Sequence, residues 1–286
     1  MIYLFGAIAL FVILDSLRGY FTTKNKKKYL LQLVIGIPVI IATLFLFGPL
    51  FVLSPIKIGY STLKSDNISL YYPGTSIDLA KDMMSQLKQA ENMNREFYKT
   101  TYPMPVVLAK SEFDMLRFGS YPYGGGTSNE LTINIRIGRM TVGKIAHEMS
   151  HRNLAMLTGK SISSPNWFNE GLASYIGKMD EYKKPNELRV DLREGKYAND
   201  ILKMRGVLGN IIWIKRIGIG GESRVLYGQT YLMVKYLFDK YGKDNIYNFV
   251  VSLKTNDFKK AFITFFGITE EQFSQEFTSY IQNYQE

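Results

Sequence analysis

Cysteine is missing from all 286 residues, which excludes disulfide scaffolds, cysteine nucleophiles and thiolate metal sites together. Histidine is nearly missing. There are two, so any imidazole chemistry rests on that pair. No internal repeat is visible, so no repeat architecture is in play. What is present is a chain that is 46% hydrophobic, 14% aromatic and 21% charged, values that rule out a disordered or collagen-like polymer. The length suits one large domain or two small ones. Lysine and arginine number 35 against 25 acidic residues, a net charge of +10. Such a balance is compatible with nucleic acid, with an anionic membrane surface, or with solubility alone.

The apolar residues are concentrated near the N-terminus. Residues 30–53 contain no charge and are rich in Ile, Val, Leu and Phe. At about 1.5 Å per residue they reach about 36 Å, enough for a bilayer core of about 30 Å. Pro38 lies inside this run, which membrane helices tolerate. Residues 2–14 are apolar but too short alone. Extended to 2–21 they include Asp15 and Arg18, spaced to pair on one helix face. A second transmembrane helix is expected there. A signal peptide fits less well, because the start lacks a basic leader and no small-residue cleavage site follows. Between the two segments lie Lys24, Lys26, Lys27 and Lys28, which by the positive-inside rule mark the cytoplasmic side. The expected organisation is therefore a membrane anchor at 1–56, with two spans and a basic cytoplasmic loop, and an extracytoplasmic domain at 57–286. Absence of cysteine is compatible with that side of a bacterial membrane.

In the second part, strands are expected at 68–72, 105–109 and 131–137. The last alternates Leu131, Ile133, Ile135 and Ile137 with Thr132, Asn134 and Arg136, the pattern of a half-buried strand. A long amphipathic helix is expected at 76–98. Gly124, Gly125 and Gly126 read as a flexible turn; a phosphate cradle is disfavoured, since no helix or Lys-Ser/Thr follows. After residue 141 the pattern is helical, with segments at 227–240, 244–253, 257–266 and 269–284 and stops at Gly242 and Gly267. A small sheet followed by helices argues an α+β fold.

Both histidines fall in the run His147-Glu148-Met149-Ser150-His151. At i and i+4 they share one helix face, on a helix that Thr141 is suited to cap. Two imidazoles one turn apart can reach a single zinc ion, and the carboxylate between them can act on its water. By chance this arrangement of two histidines and a glutamate would arise in roughly one chain in three thousand of this composition. A third ligand is needed. With no further histidine or cysteine, a carboxylate is left, and Glu170, separated from His151 by 18 residues, begins the Glu170-Gly171 step of an apolar helix after Pro165. Gly171 permits a close helix approach.

These residues resemble a family. His-Glu-x-x-His, the 18-residue gap and Asn169-Glu170-Gly171 look like the gluzincin metallopeptidases. The run from Trp167 to Tyr175 is similar to bacterial peptidase MA-like domains and zinc aminopeptidases. The likeness extends more weakly over 68–283, including Tyr227-Gly228-Gln229-Thr230 and the helix that follows. It implies a zincin-type catalytic half with a mainly helical C-terminal part. It also implies one Zn2+ held by His147, His151 and Glu170, with Glu148 as general base. Zinc lowers the pKa of its water toward about 7 and polarises the scissile carbonyl, while the base moves the proton to the leaving amine. Relatives stabilise the oxyanion with a tyrosine or histidine. Here only tyrosine remains, Tyr227 first and Tyr231 next. Two departures matter. The aminopeptidase segment that grips a free amine has no counterpart, which points to an endopeptidase. Thermolysin-like enzymes place an aspartate four residues past the ligand glutamate, where this chain has Ser174, so histidine orientation is expected to come from elsewhere. Strand 131–137 is expected, by analogy, to offer an edge to extended substrate.

The expected function is a membrane-anchored zinc peptidase acting on extracytoplasmic protein or peptide. The alternative from another class is a catalytically idle zinc-binding scaffold, against which the intact Glu148 counts. A cytoplasm-facing intramembrane protease conflicts with the lysine run and with the distance of His147 from the spans. A nucleic-acid protein is disfavoured, because the basic excess is scattered and partly topological. Oligomeric state is not legible.

Overall fold

The computed structural model describes residues 2–120, 126–128, 131–159, 164–179, 184–218 and 220–284. The chain forms two compact units, Met1–Met84 with Pro103–Met140, and Ser85–Tyr102 with Thr141–Glu286. The fold class is α+β with a five-stranded mixed sheet, as the order of strand and helix patterns implies.

The first unit opens with helix α1 (Ile2–Thr22), a turn at Thr23–Asn25, then α2 (Lys26–Leu31), a π-helical turn (Gln32–Gly36) and α3 (Ile37–Phe47). Gly19 lets the Tyr29 ring come in: a Cβ at Gly19 would lie 2.1 Å from it. The π turn immediately precedes Pro38, whose missing N–H and ring disrupt regular α hydrogen bonding, and such turns absorb that mismatch. Among the described residues, one helical stretch, Lys26–Phe47, is long and apolar enough to cross a bilayer. This corrects the expected second segment at both ends. The stretch starts at Lys26, which places Lys26, Lys27 and Lys28 in its first turn, and it stops at Phe47 rather than Leu53. Gly48 and Pro49 break it, and Phe51 is buried beside Val107 and Phe118. The Lys57 ammonium accounts for this turn. It donates to the carbonyls of Phe51 (2.9 Å), Val52 (3.1 Å) and Ser54, which closes the turn on itself, and it lies 5.0 Å from the ring centroid of Tyr71 in the sheet.

The sheet has the order β1-β2-β3-β5-β4, with β1 (Tyr60–Ser65), β2 (Ile68–Pro73), β3 (Met104–Ala109), β4 (Gly126–Ser128) and β5 (Ile133–Arg136). β2, β3 and β5 run parallel, and the outer two strands are antiparallel to their neighbours. Register carries Leu63, Leu70, Val106 and Ile133 across one row. β5 is thus interior, and the edge belongs to β4, so the edge-pairing expectation fails for β5. Its polar face is buried as well: Asn134, which the alternating pattern had assigned to solvent, is enclosed, and its Nδ2 donates to Ser120 Oγ at 2.5 Å and to the Phe118 carbonyl at 3.3 Å. Strands β1 and β4 and a short helix α5 (Glu112–Arg117) were not legible as elements, being short or weakly patterned. Gly124 and Gly125 lie outside the described residues.

Helix α4 (Ile77–Tyr98) passes from the first unit into the second. The second unit is helical: α6 (Val142–Thr158), α7 (Asn166–Ile176), α8 (Pro185–Arg193), α9 (Gly206–Gly218), α10 (Ser223–Tyr241), α11 (Lys243–Ser252), α12 (Phe258–Phe266) and α13 (Glu270–Gln282). Gly267 closes α12 with φ +72, a left-handed turn that glycine adopts without a Cβ clash. An aromatic core of Trp167, Phe168, Phe249, Phe258, Phe262 and Phe273 fixes the start of α7, with the Trp167 and Phe273 rings stacked at 5.5 Å. The Trp167 Nε1–H donates to the buried Glu270 carboxylate, which Arg205 also engages at 2.6 Å.

Candidate metal centre

Three helices of the second unit build the site. Thr141 caps α6 as expected: its Oγ1 accepts from the Lys144 N–H at 3.3 Å. α6 and α7 cross where two glycines face each other. A Cβ on Gly143 would lie 2.5 Å from the Gly177 carbonyl oxygen, and one on Gly177 would lie 2.6 Å from that of Gly143. Gly171 plays the same part between α7 and α10, where a Cβ would meet the Thr230 carbonyl oxygen at 2.3 Å. Behind α6, the second half of α4 holds it by hydrogen bonds. Asn94 donates to the Ala146 carbonyl at 2.9 Å, Asn153 donates to Asn94 Oδ1 at 3.0 Å, and the Tyr98 hydroxyl bonds Ser150. These buried amides flank the His147–His151 turn and fix its rotation.

That framework brings His147, His151 and Glu170 together. The two Nε2 atoms are 3.0 Å apart, and Glu170 Oε2 lies 3.3 Å from that of His147 and 3.5 Å from that of His151. The group is largely buried, and Glu170 Oε2 is enclosed without a hydrogen-bond partner. The far ring nitrogens are held from behind: His151 Nδ1 lies 2.9 Å from Asn169 Oδ1, and His147 Nδ1 lies 3.3 Å from Ser174 Oγ. An amide oxygen only accepts, so the Asn169 contact places the proton on His151 Nδ1 and leaves Nε2 with a lone pair aimed at its neighbours. An imidazole lone pair and a carboxylate oxygen converging in a largely buried site repel one another unless a proton or a metal cation lies between them. Ligands about 2.0–2.1 Å from one tetrahedral ion stand about 3.3 Å apart, and the observed separations bracket that value. His147, His151 and Glu170 could therefore hold a metal ion.

Ser174 does what its spacing was expected to leave undone. Its hydroxyl reaches His147 Nδ1 because the Gly143–Gly177 crossing brings α7 close to α6. Asn169 is the other orienting group, and its only signal in the sequence is adjacency to Glu170. Tyr227 on α10 presents its ring edge-on to His147, with centroids 6.1 Å apart, and packs on Trp213 of α9 at 5.5 Å. Tyr231, one turn later, is buried with its ring toward Tyr175. Glu148 is half-buried on the next step of α6, and its charge reaches His151. The open cleft lined by Tyr236, Lys240, Glu276 and Tyr280 shares no residue with this group.

Without metal, protons supply the missing positive charge. Burial pulls the His151 imidazole down, but the charges of Glu170 and Glu148 and the Asn169 contact outweigh it and raise it from 6.5 to about 9. Burial likewise raises the Glu170 carboxyl, but the two histidines outweigh this and hold it well below its ordinary 4.5. A raised histidine contributes stability below its unfolded pKa and loses it as pH rises through the folded value. A depressed carboxyl contributes above its unfolded pKa and loses it toward acid. The metal-free chain is therefore expected to melt highest between about pH 4.5 and 6.5 and to lose stability from about 6.5 to 9. Glu170→Gln removes the negative partner, so that alkaline decline should flatten. Melting curves of both proteins after chelation check this; the same decline in the variant rules out the pairing.

No protein-family model and no curated protein sequence matches the chain.

Proposed function

We propose that this protein is a membrane-tethered zinc peptidase of the gluzincin kind, cleaving extracytoplasmic protein or peptide internally. The observation that carries the reading is the convergence of His147 Nε2, His151 Nε2 and Glu170 Oε2 in a largely buried site, with Glu148 next to the first ligand on the same helix. Two imidazoles and one carboxylate are the ligand set of catalytic zinc that keeps a position open for chemistry. Bound there, zinc supplies Lewis acidity toward a carbonyl oxygen and makes water acidic near neutral pH.

The chain's own residues do the rest. Asn169 holds His151 in the tautomer and orientation that metal binding needs, and Ser174 steadies the ring of His147 from behind. Glu148 takes a proton from the attacking water and returns it to the departing amine. Tyr227, beside His147, donates its hydroxyl proton toward the charge that develops on the former carbonyl oxygen. The membrane part of the reading takes α1 and Lys26–Phe47 as two spans joined at a lysine-rich cytoplasmic turn, with the remainder outside.

The test uses the full chain in detergent. Metal content is measured, and cleavage of a mixed peptide pool is followed before chelation, after it, and after zinc is restored. About one zinc ion per chain is expected, with cleavage lost on chelation and recovered with zinc. A chain that binds no zinc refutes the reading. Zinc binding without cleavage of the pool or of denatured protein turns it toward the idle scaffold.

A further inference from the structure

Helix α9 is apolar on the side that the protein leaves bare. Its inner side is anchored by Trp213 and by Gly209, where a Cβ would lie 2.4 Å from the Met204 backbone. On the other side, Val207, Leu208, Ile211, Ile212 and Ile214 are between 45% and 75% exposed. At 3.6 residues per turn these five occupy an arc of about 160°, centred opposite Trp213. An apolar helix face is ordinarily enclosed, and α9 is enclosed on the Trp213 side only.

The charges say what covers the other side. α9 contains no acidic residue, and Lys215 projects from the middle of the apolar arc. Lys203, just before the helix, is exposed too, and no ion pair engages either lysine among the described residues. The acids that contact α9, Asp200 and Glu222, are both paired with Arg216, so a two-fold contact with a second copy sets the same lysines against a helix that has no acid of its own. Anionic lipid headgroups meet them directly, while the lysine stem lies along the apolar surface and its ammonium reaches the headgroup level.

The geometry points to α9 as a second membrane contact, an interfacial helix lying in an anionic lipid surface through Val207, Leu208, Ile211, Ile212 and Ile214. The inference rests on the membrane reading of Lys26–Phe47, since a tether raises the effective concentration of lipid at a weak surface site. Trp213, opposite the apolar arc, contacts Tyr227, and Tyr227 contacts His147, so a seated α9 keeps the candidate metal centre two ring contacts away on the water side of the surface helix. The substrates that follow are polypeptide segments at or leaving the membrane surface.

The cysteine-free chain allows a direct test. The full chain carrying Leu208→Cys, Ile211→Cys, Val39→Cys or Lys254→Cys is labelled with a polarity-sensitive fluorophore. It is then reconstituted into vesicles of three parts phosphatidylcholine to one of phosphatidylglycerol. Labels at 208 and 211 are expected to shift to the blue and to be quenched several-fold more by spin-labelled lipid than the label at 254. Shallow quenchers should outperform deep ones, as an interfacial depth of about 5–10 Å requires. The effect should weaken in phosphatidylcholine alone. If the label at 39 is lipid-quenched while those at 208 and 211 are reached by aqueous iodide, the α9 contact is refuted and the span survives. If none is lipid-quenched, both fall. Protection of 208 and 211 from lipid and iodide alike, lost on dilution, assigns the face to a second copy and overturns the inference.

Discussion

Glu148→Gln is expected to reduce peptide cleavage by between about 10²- and 10⁴-fold while leaving bound zinc unchanged, the range that a positioned general base contributes. At about 1.4 kcal/mol per decade this is a loss of about 3–5 kcal/mol of transition-state stabilisation. The two halves of the prediction separate because the ligand atoms belong to His147, His151 and Glu170, whereas Glu148 lies outside that group. Glutamine keeps the size of the side chain and a hydrogen-bonding oxygen but cannot take a proton near neutral pH. The measurement is metal content beside initial rates on one peptide that the wild-type chain cleaves. Equal rates remove Glu148 from the mechanism. Loss of zinc in the variant gives Glu148 a structural part in the metal centre instead.

The second large effect is structural. Gly171→Ala should lower unfolding free energy by about 1–3 kcal/mol, the range for overpacking a filled interior. The obstacle is specific. The new methyl would stand 2.3 Å from the Thr230 carbonyl oxygen and 2.6 Å from Val234 Cγ2, and backbone cannot swing aside as a long side chain can. α7 must back away from α10, and Glu170 sits on the residue before the glycine. Thr230 Oγ1 also donates to the Tyr227 carbonyl at 3.0 Å, so the disturbance reaches Tyr227. Zinc affinity should therefore fall as well, by about 10- to 100-fold, the scale seen when ligand support is lost. Melting curves of the metal-free protein read the first effect, and zinc titration against a competing chelator reads the second. A variant that melts and binds like the wild type means that α7 and α10 are not in contact at this glycine.

The segments most legible in the sequence were those whose signal is local. The 3.6-residue periodicity of 76–98 and of the four C-terminal helices, with their glycine stops, survives in α4 and α10–α13 within a few residues. β1 and β4 were missed because a short strand at a sheet margin buries too little to leave an alternating imprint. Residues 178–224 gave no clear pattern. α9 shows why: it is apolar inside and outside, so hydrophobic periodicity has no polar face to reveal.

For the candidate centre, the chain order alone determined which side chains can serve as ligands. With no cysteine and two histidines one helical turn apart, only those imidazoles and a carboxylate were available, and the resemblance of the run around Asn169-Glu170-Gly171 pointed to Glu170 among the 25 acidic residues. Tertiary structure decided whether they meet and what steadies them. Asn169, Ser174, Asn94, Asn153 and Tyr98 act through contacts up to 59 positions apart in the chain, which no periodicity encodes. It also decided that Ser174 is long enough to reach His147, because Gly143 and Gly177 remove the bulk that would keep α6 and α7 apart. Spacing along a helix is set by the covalent backbone and can be counted; separation between helices is set by the side chains that are absent where they cross, and only the packed molecule shows it.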